Sequence, residues 1–203
     1  MSLGNLAHIE IVLVALIWIT KSLNLKNFLV HRLRLLSFHL MERSMSLKRI
    51  IIHWSAGTYT VSDIDKEHYH FIVDKDGKVH SGDLKPEDNL SISDGIYAAH
   101  TRGANAGAIG VAVAAMADAR GPGALGKYPI TKAQFDGLIR EVKRLRIKYK
   151  IGVSPSIILS HAEVEKTLGI KQAGKIDISF GIPGHPELTT ARACGDYIRS
   201  LVQ

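Results

Sequence analysis

The stretch Lys48–Gly57 reads Lys-Arg-Ile-Ile-Ile-His-Trp-Ser-Ala-Gly and contains three consecutive isoleucines, Ile50–Ile52. A run of β-branched residues that is too short for a helix predicts a buried strand. His53 then lies where this strand meets a turn of small residues. A single histidine at a strand end is more often a structural core residue than a ligand. Other parts of the chain must therefore decide its role.

The composition is that of one globular domain with a basic surface. The chain has 203 residues, enough for one well-buried domain, and a net charge of +7. This charge suits a polyanionic partner such as nucleic acid or a bacterial envelope. The basic residues are interleaved with acidic ones and show no aromatic pattern, so we expect no nucleic acid partner. The single cysteine, Cys194, excludes an internal disulfide and a multi-cysteine zinc site.

The first 44 residues differ from the rest. The apolar run Ile11–Ile19 lies between Glu10 and Lys21 and is too short to span a bilayer comfortably. It is also a poor signal peptide, because no Lys or Arg precedes it and no small-residue cleavage site follows it. Residues 21–34 combine basic residues with leucines, a pattern that predicts a basic amphipathic helix.

Three interpretations of residues 1–44 remain open. They form a weak membrane anchor that keeps the following domain in the cytoplasm, a helix that binds a partner or a membrane surface, or an over-extended reading frame. We favour the last, because Met45-Ser-Leu-Lys-Arg49 leads directly into the first strand. The predicted organisation is a weakly hydrophobic, basic extension over 1–44 and one domain over 45–203. Membrane contact is expected only if the extension belongs to the natural product.

Strands and helices alternate from Lys48 onward, so we predict a single α/β domain with a mixed central sheet flanked by helices. The predicted elements are a helix starting at Ser62, hairpin strands over Tyr69–Val73 and Lys78–His80, a polar loop over Ser81–Ala99, a strand over Ile109–Ala115, a helix capped by Thr131 and ending by Gly152, a strand over Ile157–Leu159 and a helix over Thr189–Val202.

Two histidines follow predicted strands, and such positions in one sheet can converge at an edge. His161 comes after Ile157–Leu159 as His53 comes after the first strand. Asp177, in a glycine-rich coil, offers a third ligand. Two imidazoles and one carboxylate leave a tetrahedral zinc ion one open position, as in catalytic sites. Such a set also occurs by chance, so the spacing alone predicts only a candidate zinc site at one edge of the sheet. Glu163 either supports the His161 imidazole or faces water.

Five segments carry a resemblance to a known family. They are Ile51-Ile-His-Trp-Ser-Ala-Gly57, Tyr69-His-Phe-Ile-Val-Asp-Lys-Asp-Gly77, His100-Thr-Arg-Gly-Ala-Asn105 leading to Ile109-Gly-Val111, Ser160-His-Ala-Glu-Val164 and Gly174-Lys-Ile-Asp177. In this order they resemble the zinc-dependent N-acetylmuramoyl-L-alanine amidases, which include the amidase-type phage lysozymes and the peptidoglycan recognition proteins. The chain looks most like stand-alone, prophage-encoded amidase domains.

The resemblance implies roles for residues at a metal centre. His53, His161 and Asp177 match positions that hold one zinc ion in the family, and Lys175 and Tyr69 match catalytic positions. Lys175 would stabilise the tetrahedral oxyanion. Tyr69 would orient the water or pass a proton to the leaving nitrogen.

The resemblance also implies a substrate groove. His100 and Asn105 match a segment that lines it, and Trp54 either stacks on a sugar ring or packs in the core. Some relatives carry a glutamate in the region that Ala112 and Ala114 occupy here, so the general base stays open.

The function that follows from the resemblance is hydrolysis of the amide between N-acetylmuramic acid and L-alanine in peptidoglycan. We expect a monomeric phage or prophage endolysin that stays in the cytoplasm until it is released to the cell wall. The alternatives are a cytoplasmic amidase that recycles muropeptides and a non-catalytic peptidoglycan-binding module. Retention of all three candidate ligands argues against the binding module.

Overall fold

The structure is a computed structural model that describes residues 27–34 and 46–203. Residues 27–34 are helical and lie within the predicted basic helix. The apolar run Ile11–Ile19 lies outside the described residues. In the part of the chain that is described, no helix has the length and apolar character needed to cross a membrane. Residues 46–203 form a compact unit of their own.

A mixed five-stranded sheet is the centre of the unit formed by residues 46–203. The strands follow the order β3-β2-β4-β1-β5, with β2, β4, β1 and β5 parallel and β3 antiparallel to β2. The sheet and its flanking helices confirm the predicted architecture. The elements are β1 Arg49–Trp54, α1 Asp63–His68, β2 Phe71–Val73, β3 Val79–Ser81, a 3-10 helix Pro86–Leu90, β4 Ala108–Val113, α2 Lys132–Lys148, β5 Ile158–Ser160, α3 His161–Leu168 and α4 Ala191–Leu201.

Each face of the sheet packs against a different set of elements. Side chains alternate along a strand, so Ile50, Ile52 and Trp54 of β1 join the larger hydrophobic core with residues of α2 and α4. Ile51 lies on the opposite face, in a smaller cluster with Leu159 and with Val164 of α3. His53 has the same parity as Ile51 and therefore points to the α3 face.

The capping pattern predicted at Thr131 starts helix α2. The Gln134 main-chain N–H donates to Thr131 Oγ1, and the Thr131 N–H donates to Gln134 Oε1. The buried Gln134 side chain also donates to the carbonyl oxygens of Val73 and Ala114, which ties the helix to the sheet. The cap therefore fixes both the start of the helix and its place on the sheet.

Four details differ from the sequence-based prediction. Strand β1 continues through His53, which pairs with Ala112 of β4, so this histidine lies inside the strand. Tyr69 precedes β2, because its N–H donates to the Asp65 carbonyl and closes α1. The predicted loop Ser81–Ala99 contains the 3-10 helix.

Helix α3, the fourth difference, is absent from the prediction. Its local signals are present: the Ser160 N–H donates to Glu163 Oε2 at 2.9 Å, and Gly169 ends the helix in the left-handed conformation, with φ of 71°. Eight residues provide only two turns. An apolar period is hard to detect over that length.

Candidate metal centre

Three buried side chains converge where β1, β5 and the coil before α4 meet. Asp177 Oδ2 lies 3.0 Å from His53 Nδ1 and 3.0 Å from His161 Nδ1. The exposed fraction is 0% for His53 and 5% for each of the other two residues. Ile52 pairs with Ser160 across β1 and β5, so the histidine that follows each of them reaches the same place. The register of two strands thus assembles the histidine pair.

The coil that carries Asp177 is attached to α3. The Ala162 N–H donates to the Asp177 carbonyl oxygen at 3.2 Å. Ile178, the next residue, is fully buried with φ of 57°, a conformation that costs a β-branched residue about 1–3 kcal/mol. This turn directs the Ile178 side chain into the core while the Asp177 carboxylate faces the histidines.

The electrostatics of the cluster favour a cation. Burial is the main reason that the pKa of His53 falls to about 4, so its imidazole is neutral at neutral pH. Burial alone would raise the pKa of Asp177, but its hydrogen bonds to His161 and His53 outweigh that effect and hold the pKa far below the usual range. A carboxylate beside the neutral imidazole of His53 matches the charge state in which such side chains bind divalent metals.

The donor set fits zinc. Ligand atoms at about 2.0–2.1 Å from a tetrahedral zinc ion lie about 3.3 Å apart, close to the 3.0 Å between Asp177 Oδ2 and each Nδ1 atom. All three ligand atoms lie within 4.8 Å of one another. Magnesium and calcium prefer sets made only of oxygen atoms. Two nitrogens and one oxygen therefore suit a transition-metal ion such as zinc, and a tetrahedral ion held by them has one position left for water or substrate.

A cleft of about 320 Å³ lies beside the cluster, and Tyr69 and Lys175 both line this cleft together with His161. The Tyr69 ring centroid is 5.1 Å from that of His53. Burial, together with the charge of Asp177, raises the pKa of Tyr69, so its phenol is a neutral donor. The lining residues are His68, Tyr69, Ala99, His100, Arg102, His161, Lys171, Gln172, Ala173 and Lys175.

His100 lines the cleft and also touches a candidate ligand. Its Nδ1 lies 3.3 Å from His53 Nε2 and 2.9 Å from Thr101 Oγ1. Burial, reinforced by the neighbouring His53 and His70, keeps its pKa well below the usual value. The ring fits only because residue 110 is glycine, since a Cβ there would lie 2.5 Å from His100 Cγ.

The structure does not bring Asn105 or Trp54 to this cleft. Asn105 is buried, and its Oδ1 accepts the Thr101 N–H at 2.8 Å, which holds the loop. Trp54 is buried in the core on the face opposite His53, with its ring 5.1 Å from that of Phe180. These positions favour loop support for Asn105 and packing for Trp54.

Two positions near the ligands carry no catalytic carboxylate. Ala112 is fully buried beside His53 in the strand register, so this position supplies no general base. The sequence left two alternatives for Glu163, support of the His161 imidazole or exposure to water, and the structure shows neither. Instead Glu163 accepts hydrogen bonds from the Ser160 N–H and from Arg199, and it is 3% exposed.

A comparison with protein families identifies the chain. A model of the N-acetylmuramoyl-L-alanine amidase family matches residues 43–177, a range that includes every member of the three-residue cluster. The chain belongs to this family. A comparison with curated proteins gives no significant match.

Solved structures similar to this amidase-family chain share little sequence with it. The amidase LysC from Clostridium intestinale URNW has 18% identity and a TM-score of 0.44, over 71% of this chain and 85% of LysC. The Ph2119 endolysin from Thermus scotoductus MAT2119 bacteriophage Ph2119 has 14% identity and a TM-score of 0.45, over 74% and 86%. The Escherichia coli amidase AmiD has 24% identity and a TM-score of 0.40, over 57% and 48%.

Sequence reasoning missed two polar residues of this candidate metal site, Thr101 and Gln172. Both are buried, and each contacts the outer nitrogen of a candidate ligand: Thr101 Oγ1 lies 3.3 Å from His53 Nε2, and Gln172 Oε1 lies 2.8 Å from His161 Nε2. Thr101 belongs to a segment that the family resemblance had marked. Gln172 lies in a coil and shows no local pattern.

Proposed function

We propose that this chain hydrolyses the amide bond between N-acetylmuramic acid and L-alanine in peptidoglycan, with one zinc ion held by His53, His161 and Asp177. The observation that carries the proposal is the single carboxylate oxygen 3.0 Å from both Nδ1 atoms, beside an open cleft. Membership of the amidase family supplies the reaction class.

The residues of the cleft have distinct roles in this proposal. A bound zinc ion would supply Lewis acidity, which lowers the pKa of water and polarises the amide carbonyl. The positive charge of Lys175 stabilises the negative charge that develops on the carbonyl oxygen. The neutral phenol of Tyr69 donates toward the leaving nitrogen. His100 contacts both the cleft and His53, so it supports a ligand as well as the substrate groove.

We further propose that the biological role is that of a phage or prophage endolysin that acts as a monomer on the cell wall after release from the cytoplasm. The net charge of +7 suits a polyanionic envelope. Recycling of soluble muropeptides in the cytoplasm is the rival role for the same chemistry. The boundary between an extension over 1–44 and a domain over 45–203 also stays a prediction.

Mass spectrometry of digested peptidoglycan tests the reaction. We expect the wild type to release intact stem peptides and His161→Ala to release none, because the variant lacks a ligand. His185→Ala is the matched control, since His185 is partly exposed and lies outside the residues that line the cleft. Cut glycan strands would refute the amidase assignment.

Two further measurements separate the rival functions. Activity on whole sacculi supports an endolysin, whereas activity only on soluble fragments supports recycling. Protein that binds cell walls but carries no stoichiometric zinc would be a binding module.

A further inference from the structure

The outer nitrogen of His161 is held by a buried glutamine. Gln172 is 5% exposed, and its Oε1 lies 2.8 Å from His161 Nε2. Its amide nitrogen donates to the carbonyl oxygens of Arg102 at 2.9 Å and Ile170 at 3.3 Å. Its main-chain N–H donates to Glu165 Oε2 at 2.9 Å. These contacts determine the orientation of the side-chain amide: the nitrogen faces two carbonyl oxygens and the oxygen faces His161.

This arrangement determines how His161 can bind a metal. A histidine that binds a metal through one ring nitrogen carries its proton on the other. An amide oxygen only accepts hydrogen bonds, so in the metal-bound state this proton lies on the Nε2 atom that faces Gln172. The Nδ1 atom is then the ligand atom when a metal binds, and Nδ1 is the atom 3.0 Å from Asp177 Oδ2. If the His161 ring were flipped, Nδ1 would face Gln172 and Nε2 would face Asp177.

We propose that Gln172 is a positioning residue that holds the His161 imidazole with Nδ1 directed at the metal and so raises the affinity for zinc. The inference rests on the proposed zinc centre and adds a residue that acts on the metal through His161. Outer hydrogen bonds of this kind orient ligands, and their loss typically lowers metal affinity about 10–100-fold.

The outer nitrogen of His53, Nε2, also has polar neighbours, but at longer distances than the outer nitrogen of His161. His53 Nε2 lies 3.3 Å from both Thr101 Oγ1 and His100 Nδ1. His100 Nε2 faces the Ala108 carbonyl at 3.4 Å, which leaves His100 Nδ1 as an acceptor. These distances are longer than the 2.8 Å contact at His161. Strand β1 also fixes His53, whereas His161 lies at the start of a short helix. We therefore expect loss of Gln172 to lower zinc affinity more than loss of the contacts at His53 Nε2.

Zinc affinity of the full chain, measured by chelator competition, tests the proposal with three variants. Gln172→Leu removes the acceptor at nearly constant volume, and we expect the dissociation constant for zinc to rise about 10–100-fold. Gln172→Glu keeps an acceptor oxygen for Nε2 but loses the donor to the Arg102 and Ile170 carbonyls, so we expect a smaller rise than in Gln172→Leu. Lys171→Leu is the matched control, because Lys171 is exposed, adjacent in sequence and in the same cleft. We expect it to leave zinc affinity unchanged.

NMR of the zinc-loaded proteins gives a second readout that a general packing role would not change. In wild type the Nε2–H proton of His161 should exchange slowly with water because it is donated to a buried oxygen. In Gln172→Leu this signal should be lost or exchange much faster, while thermal unfolding reports whether the variant is folded.

Two results would overturn the inference. Wild-type zinc affinity in folded Gln172→Leu would show that the contact does not position the ligand. Equal losses in the leucine and glutamate variants, with the Nε2–H signal retained, would show a packing effect only. If the wild-type protein binds no zinc, the proposed function fails together with this inference. If the wild type binds zinc and folded Gln172→Leu binds it equally well, only this inference fails.

Discussion

At the scale of single residues, two lysines line the cleft beside the candidate metal centre. Lys175 precedes Asp177 by two residues, and its charge is one of the causes that lower the pKa of His53. Lys171 lines the same cleft next to Gln172. A charge close to the metal ligands is also close to the carbonyl oxygen of a substrate amide held there.

Lys175→Ala should therefore lower kcat by about 10²–10³, the typical cost of removing one oxyanion-stabilising group. Its zinc content should stay at the wild-type level because the three ligands remain. Steady-state hydrolysis of a soluble muropeptide, with zinc measured on the same samples, provides the test. Lys171→Ala should keep kcat within a few-fold of wild type. Equal kcat values for both variants would remove Lys175 from the mechanism.

At the scale of elements, α3 matters most because it begins with a candidate ligand, His161. Glu163 in its first turn binds the Ser160 N–H and makes two hydrogen bonds to Arg199 of α4, at 3.1 and 2.8 Å. The two helices approach so closely that a Cβ on Gly195 would lie 2.1 Å from Glu163 Oε2. A buried ion pair thus sets the position of the helix.

Glu163→Ala should lower the free energy of unfolding by about 3 kcal/mol, because it leaves the Arg199 guanidinium, which is 4% exposed, without its main partner. Arg199 keeps Asp196 and the Ile158 carbonyl, which limits the loss. Asp136→Ala, which breaks the exposed pair with Lys132, should cost about 0.5 kcal/mol or less. Urea denaturation of both variants compares them. A similar small effect in both would show that the buried pair does not stabilise the fold.

At the scale of the whole molecule, buried histidines make folding sensitive to acid. The pKa of His70 falls to about 4, mainly through burial, while its Nε2 contacts Asn89 Oδ1 and its Nδ1 accepts the Gly110 N–H. An unfolded chain protonates this histidine near pH 6.5. The unfolded state therefore binds the proton first, and stability present above pH 6.5 is lost as the pH falls toward 4.

His70→Gln should reduce this pH dependence. Between pH 7 and pH 4.5 the histidine accounts for about 2.5 kcal/mol of lost stability, so the variant should lose about that much less than wild type over the same range. Urea denaturation at both pH values, with a chelator present to exclude metal effects, gives the comparison. His68→Gln, at an exposed position, should behave as wild type. An unchanged slope in His70→Gln would contradict the assignment.

Much of the fold could be predicted because its signals are local. The isoleucine run of β1, the Asp-Gly turn between β2 and β3 and the Thr131 cap of α2 each act within a few residues. The two-turn helix α3 was missed because its capping signals are weak without an apolar period. The candidate ligands were predicted from family resemblance, and the structure brings them together.

The sequence by itself determined the strands, the capped helix and the donor types available to a metal. Only the tertiary structure decided which donors meet: Asp177 reaches His53 across 124 residues, and the β1–β5 register places both histidines at one point. It also placed Trp54 in the opposite core and Gln172 behind His161. Local propensities act over a few residues, whereas these contacts depend on strand pairing and on a coil folded back against the sheet.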